Sequence, residues 1–191
     1  MIRRRSSSPA GVGPLSPRRK WRAITIATLL LVPSYWAVLA GLVAVASDSP
    51  DAPPAGPFIA FGLALIPFVF IVLAFLSEHP RAPGAVVKGM GLALAVGIPV
   101  SAIAADAVTG LVAAVGAGGI GALRADHAEA WKARAIAVFA VTVYVFLMIR
   151  LAGDVTLLLA PTLPFTCLGV ADHLADRRRE QTEERQAAEI P

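Results

Sequence analysis

The sequence is short of the groups with which most proteins do chemistry. Only 16% of its 191 residues are charged, and it holds a single cysteine, Cys167, and three histidines. One cysteine excludes an internal disulfide, and a solitary one is most often a small buried hydrophobe. Phe, Trp and Tyr together make up 7%, too few to line an aromatic ligand pocket. The glycine run from Gly116 to Gly121 is followed by no Lys, so it is not a phosphate loop. No Gly-x-Ser-x-Gly elbow, no paired His on a Glu-bearing helix and no Cys beside a His occurs. These absences point away from an enzyme, and no cofactor is expected.

What is present is apolar. Hydrophobic residues make up 57% and the mean hydropathy is +0.70, outside the usual range of a soluble domain of this length. The surplus apolar surface calls for lipid. Its wealth of Ala and Gly suits close packing of helices, which in lipid depends on backbone approach rather than on a hydrophobic driving force.

Two overlong tracts set the expected topology. Val86 to Leu123 carries only Lys88 and Asp106, and as one helix it would run roughly 57 Å, nearly twice the roughly 30 Å hydrocarbon core. It would also leave Asp106 near the bilayer centre, at a cost of about 3 kcal/mol. A reversal at Asp106 removes both problems. Ala135 to Ala171 repeats the pattern, with Arg150, Gly153 and Asp154 at its middle. The expectation is therefore an all-α polytopic membrane protein with six spans in three hairpins, near 21–46, 57–77, 86–105, 107–123, 135–151 and 155–171. The alternative is four spans, two of them overlong. Charge distribution favours six: with the N-terminus inside, sixteen of seventeen Lys and Arg are cytoplasmic and only Arg150 is outside.

Residues 1–20 read as a disordered basic arm, suited to orientation and headgroup contact, with no aromatic or folded support for nucleic-acid binding. Ala44-Val45-Ala46 resembles a signal-peptidase site, but the apolar run before it exceeds a secretory core, so an uncleaved first span is expected. Residues 172–191, with Arg177 to Arg179 followed by Glu180, Glu183 and Glu184, read as a charged cytoplasmic tail.

Three sets of residues are candidates for specific roles. Gly89, Ala93, Gly97 and Ser101 share one helix face, and Gly110, Ala114 and Gly118, flanked by Gly121, share another; the two stripes are expected to pack together. Pro99 is expected to kink the outgoing helix. Asp106, Arg150 and Asp154 can form a charge cluster joining two hairpin tips at the outer face. Glu78-His79, Asp126-His127 and Asp172-His173 each end an inward span, and successive histidines are spaced 48 and then 46 positions apart. Diverged hairpin repeats or a shared metal would explain that spacing, but zinc-motif ligand spacing is missing, so no metal is assigned.

The leading expectation is a non-enzymatic accessory, assembly or scaffolding subunit in the inner membrane of a bacterium, the Ala, Gly and Arg bias fitting a GC-rich one. Its partners would be the lipid bilayer and another membrane protein or a second copy. A small-solute transporter, or its membrane-embedded substrate-binding subunit, is the alternative. It would need a polar midplane cavity near Pro99 or near Pro161 and Pro164.

Overall fold

The computed structural model describes residues 15–47, 53–153 and 155–188; most of the N-terminal arm, Asp48, Asp51 and Asp154 lie outside the described residues. The elements are all helices: α1 (Pro17–Ala46), α2 (Ala55–Leu76), α3 (Ala82–Ala104), α4 (Ala107–Ala122), α5 (Ala128–Ala152), α6 (Val155–Leu159) and α7 (Leu163–Ala188). Helices α1, α2, α3 and α5 are long and apolar enough to cross a membrane, and α4 is a shorter apolar helix. The protein is an all-α polytopic membrane protein, and neither overlong tract is a single helix.

The reversal between α3 and α4 has a local cause. Ala105 takes a left-handed conformation at φ 50°, ending α3, and the Asp106 carboxylate then caps α4 by accepting from the backbone N–H of Val108 (3.2 Å) and Thr109 (2.7 Å). A polar side chain at an N-cap contributes about 1 kcal/mol by satisfying helix-end donors. The charge that cannot sit inside a span thus starts the next helix. Helix α3 continues unbroken across Pro99 as far as Ala104.

Helix α4 is the centre of the bundle. It contacts α2, α3, α5 and α7, and thirteen of its sixteen residues are buried. At 16 residues it is roughly 24 Å long, short of a full hydrocarbon core, but its surroundings are other helices rather than lipid. Its five glycines are distributed among those neighbours. A Cβ on Gly110 would strike Ser101 of α3, one on Gly116 Val138 of α5, and one on Gly119 Leu168 and Phe165 of α7. On Gly118 it would run into Cζ of Phe70 in α2, and on Gly121 it would fall 2.9 Å from Cα of Gly89 in α3. Interior glycine costs about 1 kcal/mol per residue in helix propensity. Close contact with the backbone of α3 and with side chains of α2, α5 and α7 offsets it.

The α3 and α4 stripes meet through Gly97 against Ala114 and the Gly110 carbonyl, Gly110 against Ser101, and Gly89 against the Gly118 carbonyl. Ala93 is buried on the same face. Gly118 serves two neighbours: a Cβ there would meet Phe70 of α2, while its carbonyl approaches Gly89 of α3. The α1–α2 hairpin has its own close approach, with Gly62 against the Ser34 carbonyl and Val38, and the Ser34 hydroxyl donating to the Gly62 carbonyl at 2.6 Å.

The second overlong tract also turns, but its return is broken. Helix α5 ends at Gly153, φ 64°, and α6 spans five residues before the chain turns at Ala160 to Thr162 and restarts as α7. Pro161 and Pro164 both lack a backbone N–H to donate to a preceding turn, and the helix is interrupted beside this pair, whereas the single Pro99 leaves α3 continuous. The Thr162 and Thr166 hydroxyls donate to the carbonyls of Leu159 (2.8 Å) and Thr162 (2.7 Å). Nor does this helix stop at residue 171: α7 runs on to Ala188, joining the expected last span to the expected tail.

Candidate functional site

The bundle has two unlike ends. At the end bearing the α3–α4 tip, Arg150 of α5 donates from Nη2 to the Ala104 carbonyl at 2.9 Å and lies over the Phe146 ring at 5.5 Å. The two hairpin tips are thereby joined, through a backbone carbonyl. Asp106 spends its carboxylate on the α4 cap, and Asp154 lies outside the described residues.

The opposite end holds the densest chemistry. Arg134, in the second turn of α5, is fully buried, as is Asp172 of α7. The guanidinium donates from Nε to Asp172 Oδ1 and from Nη2 to Oδ2, both at 2.6 Å. It also donates at 2.7 Å to the carbonyls of Leu123 (from Nη1) and Arg124 (from Nη2), just past the end of α4. Those carbonyls lie one and two residues beyond Ala122, beside the negative end of the α4 dipole, so a guanidinium suits the place. One side chain thus locks α4, α5 and α7 together.

Two further layers surround this pair. Lys20 of α1, itself buried, places Nζ 3.2 Å from Asp172 Oδ2 and 3.1 Å from Asp176 Oδ2. Arg124 Nε meets Asp126 Oδ1 at 3.0 Å, and Asp126 Oδ2 accepts from the Leu15 N–H at 3.3 Å. The Ser77 hydroxyl, at the end of α2, accepts from the Arg124 N–H at 3.2 Å. Taking charges out of water costs several kcal/mol per ion, which close pairing with satisfied hydrogen bonds repays only in part. What the arrangement provides is register, fixing the ends of α1, α2, α4, α5 and α7 relative to one another.

The three acid–His pairs do not act as units. Glu78 pairs with Arg19, while His79 accepts at Nδ1 from the Arg81 N–H at 3.1 Å. Asp126 turns to Arg124 and Leu15, and His127 lies with Nε2 3.6 Å from Asp176. Asp172 turns inward to Arg134 and Lys20, and His173 is exposed. Asp172 and His173 are consecutive on α7 and so do not share a face, while the other two pairs lie in the turns after α2 and α4, where each side chain takes its own neighbour. No three His, Cys, Asp or Glu among the described residues are grouped to hold a metal ion. Burial pushes the His79 imidazole below its ordinary value, reinforced by the positive charges of Arg124, Lys88 and Arg134.

Lys20, Arg134 and Asp176 were not candidates in the sequence. The available signal was positional: Arg134 is the last charge before one apolar tract and Asp172 the first after it. Residues so placed lie at the same depth if the tract is a hairpin. The chain matches no family model, and comparison with curated proteins and with solved structures gives no match either.

Proposed function

We propose that the chain is a non-enzymatic accessory or scaffolding subunit of a complex in the cell membrane, with both termini and the Arg134–Asp172 cluster on the cytoplasmic side. The observation that carries this reading is the filled interior around α4. Pro99 lies between Gly97 and Ser101, whose contacts with Ala114 and Gly110 close that side. Ala160 and Leu163, beside the other proline break, pack in an apolar cluster with Tyr35, Val108, Val112 and Val145. A transporter needs polar groups around a midplane cavity at such breaks. The buried charges serve instead to hold helix ends, and the broad apolar surfaces of α2, α3 and α5 face outward, toward lipid or a partner's helices.

The test is affinity purification of the full chain from its native membrane in mild detergent, with identification of co-purifying membrane proteins. A reproducible stoichiometric partner is expected. Repeated recovery of the chain alone, with native lipid still attached, would refute the subunit reading.

A further inference from the structure

Helices α5 and α7, joined by Arg134 and Asp172, do not close against each other along their outer sides. Between them runs a groove of about 600 Å³, within the range of roughly 300–1,000 Å³ typical of small-molecule sites. Its floor is small: Ala133, Ala137 and Ala140 on α5, and Cys167, Ala171 and Ala175 on α7. Small residues on facing membrane helices ordinarily bring the backbones together. Here they leave room for a third body, and the exposed side chains of Ile136, Val170 and Leu174 form the groove's lipid-facing rims.

One mouth of the groove is charged, with Lys132, Arg178 and Glu129, a net charge of +1. From Glu129 to Val141, the groove's extent on α5, is roughly 18 Å, and from Cys167 to Arg178 on α7 roughly 17 Å. One leaflet's hydrocarbon is about 15 Å deep, half of the whole core. A body that fits is therefore apolar over one leaflet's depth and singly negative at its end. We infer that this groove binds an anionic phospholipid, with an acyl chain between α5 and α7 and the headgroup phosphate held by Lys132 and Arg178.

The experiment titrates the purified full chain with phosphatidylglycerol, phosphatidylethanolamine or phosphatidylcholine, reading bound lipid by native mass spectrometry. Phosphatidylglycerol is expected to bind tightest. At about 1 kcal/mol per interfacial cation, K132Q or R178Q should each weaken it about fivefold and the double variant about 25-fold, whereas R81Q, at an exposed cation outside the groove, should not. A140F should remove binding with the charges intact. If A140F does not accumulate, wild-type protein is photocrosslinked to phosphatidylglycerol carrying a diazirine on its acyl chain, and adducts are expected within 136–141 and 167–174. Equal binding of all three lipids, an R81Q loss as large as that of the groove variants, or adducts elsewhere would overturn the assignment. So would a dimer that A140F converts to monomer, because the groove would then hold a second copy.

Discussion

Removing Arg134 tests whether the charge cluster holds the fold. In R134M the aliphatic stem is retained, but Asp172 loses two 2.6 Å hydrogen bonds and the carbonyls of Leu123 and Arg124 lose their donor. Lys20 remains 3.2 Å from Asp172, so the carboxylate is weakened in its pairing rather than isolated. Breaking a buried pair from one side costs about 3–5 kcal/mol. For a chain of this size that converts to a loss of roughly 6–20 °C in melting temperature. D172L should cost a similar amount, because it leaves Arg134 buried with only carbonyl partners. The double variant R134M/D172L should recover a large part of the loss, since an apolar pair of similar volume avoids the desolvation cost. The charge reversal R134D/D172R should not recover it, because Asp at 134 cannot donate to two carbonyls. Thermal unfolding of the purified protein in detergent, arranged as a double-mutant cycle, measures each term. A loss below about 1 kcal/mol in both single variants would refute the argument, as that is the scale of an exposed ion pair.

Four further outcomes follow from other parts of the molecule. G118A places a methyl group in the Phe70 ring and should cost about 1–3 kcal/mol, with F70L restoring most of it; G56A, with nothing near its Cβ position, serves as the control, and equal melting temperatures for G118A and G56A would contradict the packing described. The Tyr35 hydroxyl is buried with no hydrogen-bond partner among the described residues, so Y35F should leave stability unchanged or raise it by up to about 1–3 kcal/mol; a clear loss would show that the hydroxyl is in use. Because His79 binds its proton less readily when folded, the unfolded chain binds more protons just below its ordinary value of 6.5, and stability should fall as pH drops below that value. H79Q should flatten this part of the stability profile. In a C167S background, a cysteine at 153 should react with an impermeant maleimide from outside the cell and one at 128 should not, and the reverse pattern would invert the proposed orientation.

The reversal at Asp106 was readable because length and charge act together: a tract too long for one span, with a carboxylate at its midpoint, has one inexpensive solution. The partition of glycines around α4 was not. A four-residue stripe identifies one helix face, and it placed Gly89, Gly97 and Gly110 against their neighbours, but Gly116, Gly118 and Gly119 point to three different helices. Only knowledge that α4 is central would assign them. The break at Pro161 and Pro164 was visible as irregularity, yet its outcome depended on packing: a short helix, a turn, and a restart that carries past Asp172. The Arg134–Asp172 pair joins residues 38 apart, and no local rule selects that partner from the other charges. Adjacency in sequence suggested His173 instead, which geometry on a helix does not support.

The continuity of α7 has a mechanical consequence. From Arg177, just past the charge cluster, to Ala188 the same helix that packs Phe165 and Leu168 against α4 extends by roughly 18 Å, with Arg179 and Glu183 bracing one of its turns. Such an extension behaves as a lever whose fulcrum is the pair of salt links from Asp172 and Asp176 to Lys20. Torque applied by anything that grips its charged end reaches the innermost helix without crossing a flexible joint, and a shift of the innermost helix swings the lever's tip.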